Sequence, residues 1–265
     1  MSSASRPLVA APRSALLACW TNAWLAAEAS LSDLAIHVVG GDEGHLVTGL
    51  WVDDLDLEQT AGRLRADGVT RLTVVLPAPG DPLGLPGPGP FTRDALLAGE
   101  GVLALRPDGT GTGLVPTLTS HGSDLDGTVV TVTWVAHPVE ISGPDQGPFL
   151  HEAEHDLRRG IAEATQALVE LDVAQWSPEI RDALDDVRRA ARRALDEDDL
   201  PPSWPARARQ VLTQARLIAT LLGLVSHDGS GAVDAHEAEA RDRVMRDLAR
   251  VVRRARVAAY NAGAL

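Results

Sequence analysis

Apolar residues along the first 145 positions recur in two rhythms, and each change of rhythm marks a predicted element. A Leu- and Ala-rich run over about 13–29 places Leu16, Trp20, Ala23 and Ala27 on one side and predicts an amphipathic helix. The stretch Leu34-Ala35-Ile36-His37-Val38-Val39 predicts a strand, Gly40–Gly44 a turn, and His45–Trp51 a returning strand. A second helix is predicted at about 56–67, ended by Gly68, and a β-branched strand at Val69–Leu76. A short helix at Thr92–Ala98 precedes strands near 101–106 and 113–118, with Asp108-Gly109 as their hairpin turn. The alternation of Val130, Val132, Trp134 and Ala136 with Thr131, Thr133, Val135 and His137 predicts a final strand over Gly127–His137.

From Phe149 onward the period becomes helical. Pro148 stands at a first helical position, followed by the stripe Ala153, Leu157, Ile161, Ala164, Leu168 and Leu171. Ser177-Pro178 opens a second helix with Ile180, Leu184, Val187, Ala191 and Leu195 inward. A third, after Pro201-Pro202-Ser203, aligns Val211, Ala215, Ile218, Leu222 and Val225, and its apolar second half is expected to be its most buried part. A fourth runs from about 233 to 261 on Val233, Ala240, Val244, Leu248 and Val251. The expected fold is therefore α+β. Residues 1–145 form a mixed, mainly antiparallel sheet with covering helices, and residues 149–265 form a four-helix bundle.

Composition narrows the chemistry. All 24 basic residues are Arg, so no phosphate-loop lysine, Schiff-base lysine or Ser-Lys dyad exists. The net charge of −13 gives neither half a basic surface, which disfavours nucleic acid, although Arg246, Arg250, Arg253, Arg254 and Arg256 form a basic surface on the last helix. The single Cys19 excludes internal disulfides and Cys-based zinc sites and fits a reducing cytoplasm. Near the N-terminus, Thr21 and Asn22 interrupt the apolar run, which favours a helix over a signal peptide, and no stretch reads as a transmembrane span.

Ten of the fourteen residues from Pro77 to Pro90 are Pro or Gly, which predicts a long ordered loop leaving the carboxyl end of a strand. Ligand loops occupy such places, but a rigid surface crossover is the plainer account. Gly109-Thr110-Gly111-Thr112-Gly113 reads as a glycine-rich hairpin, because no helix follows to receive a phosphate. His37 and His137, on strand faces alternate to the main apolar set, are candidate neighbours.

One segment resembles catalytic chemistry. His151-Glu152-Ala153-Glu154-His155 sets two imidazoles four residues apart on one helical face with a glutamate beside the first. A mixed sheet, an H-E-x-x-H helix and further helices resemble the zincin metallopeptidases, over five residues and a loose order of elements. The resemblance implies zinc on His151 and His155, with Glu152 taking a proton from metal-bound water. The pattern departs from zincins at Glu154 and Asp156, where they carry uncharged residues, and it lacks the H-x-x-G-x-x-H extension. The third ligand falls to Glu237, on the inner stripe of the fourth helix. In an up-down-up-down bundle that position stands roughly 35 Å from the pair. Glu154 is also four residues before Arg158, as in a solvated pair at a helix start.

The sequence thus points to an acidic, soluble, cytoplasmic, non-catalytic binding or interaction protein without a cofactor. Its partner would be a protein or small molecule, and homodimerisation is allowed by the symmetric use of bundle faces. The alternative is a zinc-dependent hydrolase using residues 151–155.

Overall fold

The computed structural model describes residues 11–49, 51–82, 84–123, 127–141, 147–170, 199–227 and 235–263. Five strands form one mixed sheet in the order β1-β5-β4-β3-β2: β1 (Gly44–Thr48), β2 (Arg71–Val75), β3 (Gly101–Leu105), β4 (Thr110–Ser123) and β5 (Gly127–Glu140). Only β1 and β5 run parallel, paired from Gly44↔Thr131 to Thr48↔Val135; the other neighbours are antiparallel. Seven helices are described: α1 (Arg13–Leu25), α2 (Leu31–Val39), α3 (Leu57–Ala66), α4 (Pro90–Ala98), α5 (Leu150–Glu170), α6 (Ala206–His227) and α7 (Ala235–Asn261). The fold is α+β, with three C-terminal helices among the described residues. The second bundle helix expected from Ile180 to Leu195 lies outside the described residues. No helix among the described residues is long and apolar enough to cross a membrane.

The main core fills one face of the sheet. Leu72, Val74, Val102, Leu114, Val132 and Trp134 point into it, against α1 and the C-terminal helices, which contribute Leu157, Val211, Leu212 and Tyr260. A smaller cluster on the opposite face joins Val75, Leu103, Leu105 and Val115 to Phe91 and Ala95 of α4. Phe91 lies against Gly113 and Gly101, and a side chain at Gly113 would collide with its ring. The glycine-rich segment is therefore part of the β3–β4 hairpin, and one of its glycines supplies the seat of an aromatic side chain.

Several expectations are corrected. Leu34–Val39 is helix α2, not a strand. Ser30 and Asp33 close a capping box in which the Ser30 hydroxyl accepts from the Asp33 N–H and the Asp33 carboxylate accepts from the Ser30 N–H. That reciprocal cap satisfies two end donors and starts a helix despite the β-branched run behind it. In consequence His37 stacks on Trp20, with ring centroids 3.9 Å apart, and is no sheet neighbour of His137. His137 lies on β5 with its Nε2 3.1 Å from the Asp94 carboxylate.

Helix α1 is not amphipathic; every residue from Arg13 to Ala23 is buried. It is enclosed by α2, the sheet and α7, so it has no solvent face. In α6 the buried apolar residues Ala208, Val211, Leu212 and Ala215 lie in the first half, while Ile218, Leu221 and Leu222 are half-buried among the described residues. The first half is the part that meets Tyr260 at the end of α7.

The two longest strands run through prolines. The Thr110 carbonyl accepts from the Arg106 N–H on the β3 side, and the Gly109 carbonyl accepts from Ile141 on the β5 side. Even-numbered residues of β4 therefore address β3 and odd-numbered ones address β5. Pairing with β3 ends at Leu114, and Pro116 is the next residue facing that way. Its missing N–H removes no ladder bond. By the same parity Pro138 faces away from β4, beyond the last residue of β5 that pairs with β1, Val135.

Candidate functional site

Helix α5 presents His151, Glu152 and His155 to solvent, while Ala153 and Leu157 turn inward. Glu154 receives a hydrogen bond from Arg207 at 2.6 Å and pairs with Arg158. The bond from Arg207, with the two guanidinium charges, holds this carboxyl below its usual range. These contacts set the start of α5 beside the start of α6. Trp204, just before α6, donates to the Ala259 carbonyl at 3.0 Å, so the end of α7 lies there too. Helices α5 and α7 are therefore antiparallel, crossing where Gly160 meets Val251. The Glu237 backbone precedes Val251 by fourteen residues, about 21 Å of helix, in the direction leading away from the histidines. The Glu237 backbone therefore lies well away from that of His151 and His155, and among the described residues no group of three or more His, Cys, Asp or Glu capable of holding a metal occurs.

A cleft of about 1380 Å³ lies elsewhere among the described residues. Its floor is the sheet face opposite the main core, with Arg71, Thr73 and Val75 of β2, Leu103 and Leu105 of β3, and Val139 of β5. The Pro/Gly segment from Asp81 to Pro90 forms one wall, the Arg106–Gly109 turn another, and Arg254, Val257 and Asn261 of α7 reach its rim.

The wall is fixed in place. Asp81, 6% exposed, accepts from Arg253 at 2.7 Å and from Arg254 at 3.1 Å, and its backbone exchanges two hydrogen bonds with Ala78. Burial alone would raise the Asp81 pKa, but the bonds and charges of Arg254 and Arg253 more than offset it and hold the group below its usual range. At the other end of the loop the Thr92 hydroxyl is 2.8 Å from the Pro86 carbonyl and 2.9 Å from that of Gly87. Two cations of the expected basic surface on the last helix thus anchor this loop.

Other polar groups at the cleft are also committed. Arg106 donates to the Asp67 carbonyl at 2.6 Å and to the Thr110 hydroxyl at 3.1 Å. Asn261 donates to the Val74 carbonyl and accepts from the Val74 N–H. Asn22 of α1 makes the same two bonds to Leu72, both at 2.8 Å. Two carboxamides thus stand in for a missing neighbour strand along the outer edge of β2.

A second buried network joins α1 to the sheet. Arg13 grips Asp42 through Nε at 2.7 Å and Nη2 at 2.6 Å, and Asp42 lies 3.1 Å from Nε2 of His45. The Trp134 indole, which can only donate, is 3.2 Å from Nδ1 of His45. Nδ1 is therefore the bare nitrogen, and Nε2 carries the proton given to Asp42. Both ring nitrogens are used in holding the fold.

Sequence reasoning singled out the Pro77–Pro90 loop and the Arg-rich helix but not their connection through Asp81. Asn22, Asn261, Asp42 and His45 carried no motif. The one available signal was the polar residue Asn22 within an otherwise apolar run.

The model for the Rv1486c-like protein, N-terminal domain, matches residues 14–148, and that for the Rv1486c-like protein, C-terminal domain, matches residues 151–257. The uncharacterized protein Rv1486c of Mycobacterium tuberculosis H37Rv is 30% identical over 288 positions, covering 93% of this chain and 95% of that relative. The uncharacterized proteins MAV321 of Mycobacterium avium and ML1804 of Mycobacterium leprae are each 28% identical with the same coverage. No solved structure matches the chain.

Proposed function

We propose that this chain, which belongs to the Rv1486c-like family, is a non-catalytic binding protein that holds an extended, largely apolar ligand in the cleft over the β2–β3–β5 face. The observation that carries the reading is the pairing of an apolar floor with polar neighbours already engaged in the fold. Half-buried Leu85, Val139 and Ile141 supply contact area above the buried Val75, Leu103 and Leu105, while Asp81, Arg106 and Asn261 spend their hydrogen bonds internally. Catalysis needs convergent groups free to exchange protons or attack a substrate, and this cleft favours contact over chemistry. Its volume exceeds the roughly 300–1,000 Å³ of ordinary small-molecule pockets, which favours an elongated occupant such as an apolar peptide segment. The buried thiol of Cys19, held 3.6 Å from the Tyr260 carbonyl, fits a reducing cytoplasm.

The test is titration with the fluorescent apolar probe 1-anilinonaphthalene-8-sulfonate, comparing the native chain with Thr73→Trp, which places an indole on the cleft floor. Saturable fluorescence enhancement in the native chain, weakened about tenfold or more by the substitution, supports the reading. Absence of saturable binding, or binding indifferent to residue 73, overturns it.

A further inference from the structure

The β4–β5 ribbon continues past β3 and leaves one backbone edge with no strand beside it among the described residues. Beyond Leu114, β4 pairs only with β5, through Ser123↔Gly127. Burial changes abruptly at the same place: Gly111 to Pro116 are buried, and Thr117 to Gly122 are exposed. By the parity established above, the N–H and C=O groups of Leu118, Ser120 and Gly122 point away from β5, and no described strand meets them. Folded proteins usually protect such an edge with charge, proline or a covering element. Here Pro116 blocks only its inner end. The segment Thr117–Ser123 holds no Asp, Glu or Arg, in a chain where 23% of residues are charged. Apolar groups flank it on both faces of the ribbon, with Leu118 48% and Val129 45% exposed.

We propose that this edge is a dimer interface, at which β4 pairs antiparallel with β4 of a second copy about a two-fold axis at Ser120. The register follows from the chain. Ser120 faces its own mate, and Leu118 faces Gly122 of the other copy, so all outward backbone groups enter hydrogen-bonded pairs. A register centred on residue 119 would instead bring Pro116, which has no donor, opposite Gly122 and leave a gap in the ladder. The two-fold relation makes the contact close on itself. A chain of net charge −13 repels its copy over most approaches, and an uncharged strip is where two copies meet at least cost. The outcome is a sheet continuous across both copies. One short strand pair is a small interface, so the dimer is reversible and concentration-dependent.

Sedimentation equilibrium from about 10 to about 500 µM reads this directly. The expected result is a weight-average mass rising from 28.0 kDa towards twice that value. Ser120→Pro removes only an outward N–H and leaves the bonds to β5 in place, so it should weaken association at least tenfold with an unchanged circular dichroism spectrum. A second readout does not depend on that variant folding. Hydrogen-bonded antiparallel partners stand about 5.5 Å apart at Cα, within disulfide reach, so Ser120→Cys should cross-link to its mate under mild oxidation. Thr117→Cys, about 20 Å from its mate in this register, should not. A native chain that stays monomeric throughout overturns the proposal. So does a dimer that Ser120→Pro leaves undiminished, or equal cross-linking at both positions.

Discussion

Replacing Asn22 by Ala tests how the outer edge of β2 is sealed. The Asn22 carboxamide accepts from the Leu72 N–H and donates to the Leu72 carbonyl, both at 2.8 Å and both buried. Truncation removes two hydrogen bonds and leaves two backbone groups with no protein partner in the core. Each orphaned buried group costs about 1–3 kcal/mol, so a loss of about 3–5 kcal/mol is expected. For a chain of this size that lowers Tm by about 8–15 °C. The assay is urea unfolding followed by tryptophan fluorescence, with thermal melts alongside. Asn22→Leu separates bonding from packing, because it keeps side-chain volume but also strands Leu72, so it should be as damaging as Ala. A loss below about 1 kcal/mol, or a Leu variant as stable as the native chain, would refute the reasoning.

Acid stability should depend on Asp42. Burial alone would raise its pKa, but the hydrogen bonds from Arg13 and His45 and the Arg13 charge more than offset this and hold it below its ordinary 3.8. A depressed carboxylate contributes stability that is fully present above the unfolded pKa and is lost as pH falls through the folded one. Stability should therefore change little through this group down to about pH 5 and fall below about pH 4, and Asp42→Asn should flatten that acid limb in pH-dependent urea titrations; an unaltered limb refutes the assignment. At the exposed start of α5, His151→Ala with His155→Ala should shift Tm by no more than about 1–2 °C and leave metal content unchanged by mass spectrometry. Stoichiometric zinc in the native chain that disappears in this variant would restore the hydrolase reading.

Where the pattern of side chains expressed local physics, the elements could be read directly. Asp56 and Gln59 cap α3, Gly68 follows its end, and the Asp108-Gly109 turn joins β3 to β4 as expected. The mainly antiparallel sheet, and the inward stripe of Ala153, Leu157 and Ala164 on α5, also followed from periodicity. Leu34–Val39 misled because a β-branched run resembles a strand until the Ser30–Asp33 cap is weighed against it. Pro116 and Pro138 concealed the full lengths of β4 and β5, since a proline breaks a strand only when its nitrogen must donate. Which way that nitrogen faces depends on the neighbouring strands.

Sequence alone determined the class of fold, the absence of lysine and disulfide chemistry, and a short list of histidines and acids able to do chemistry. These are properties of residue type and of spacing within one element. Tertiary structure decided which of those groups meet. It placed His151 and His155 in solvent with Glu237 at the far end of an antiparallel helix. It brought Asp81 to Arg253 and Arg254 across 172 and 173 residues of chain, and Asn261 to Val74 across 187. Such contacts leave no local period in the sequence, because they arise only when distant elements pack on a common core. A site built from them becomes visible only in the folded chain.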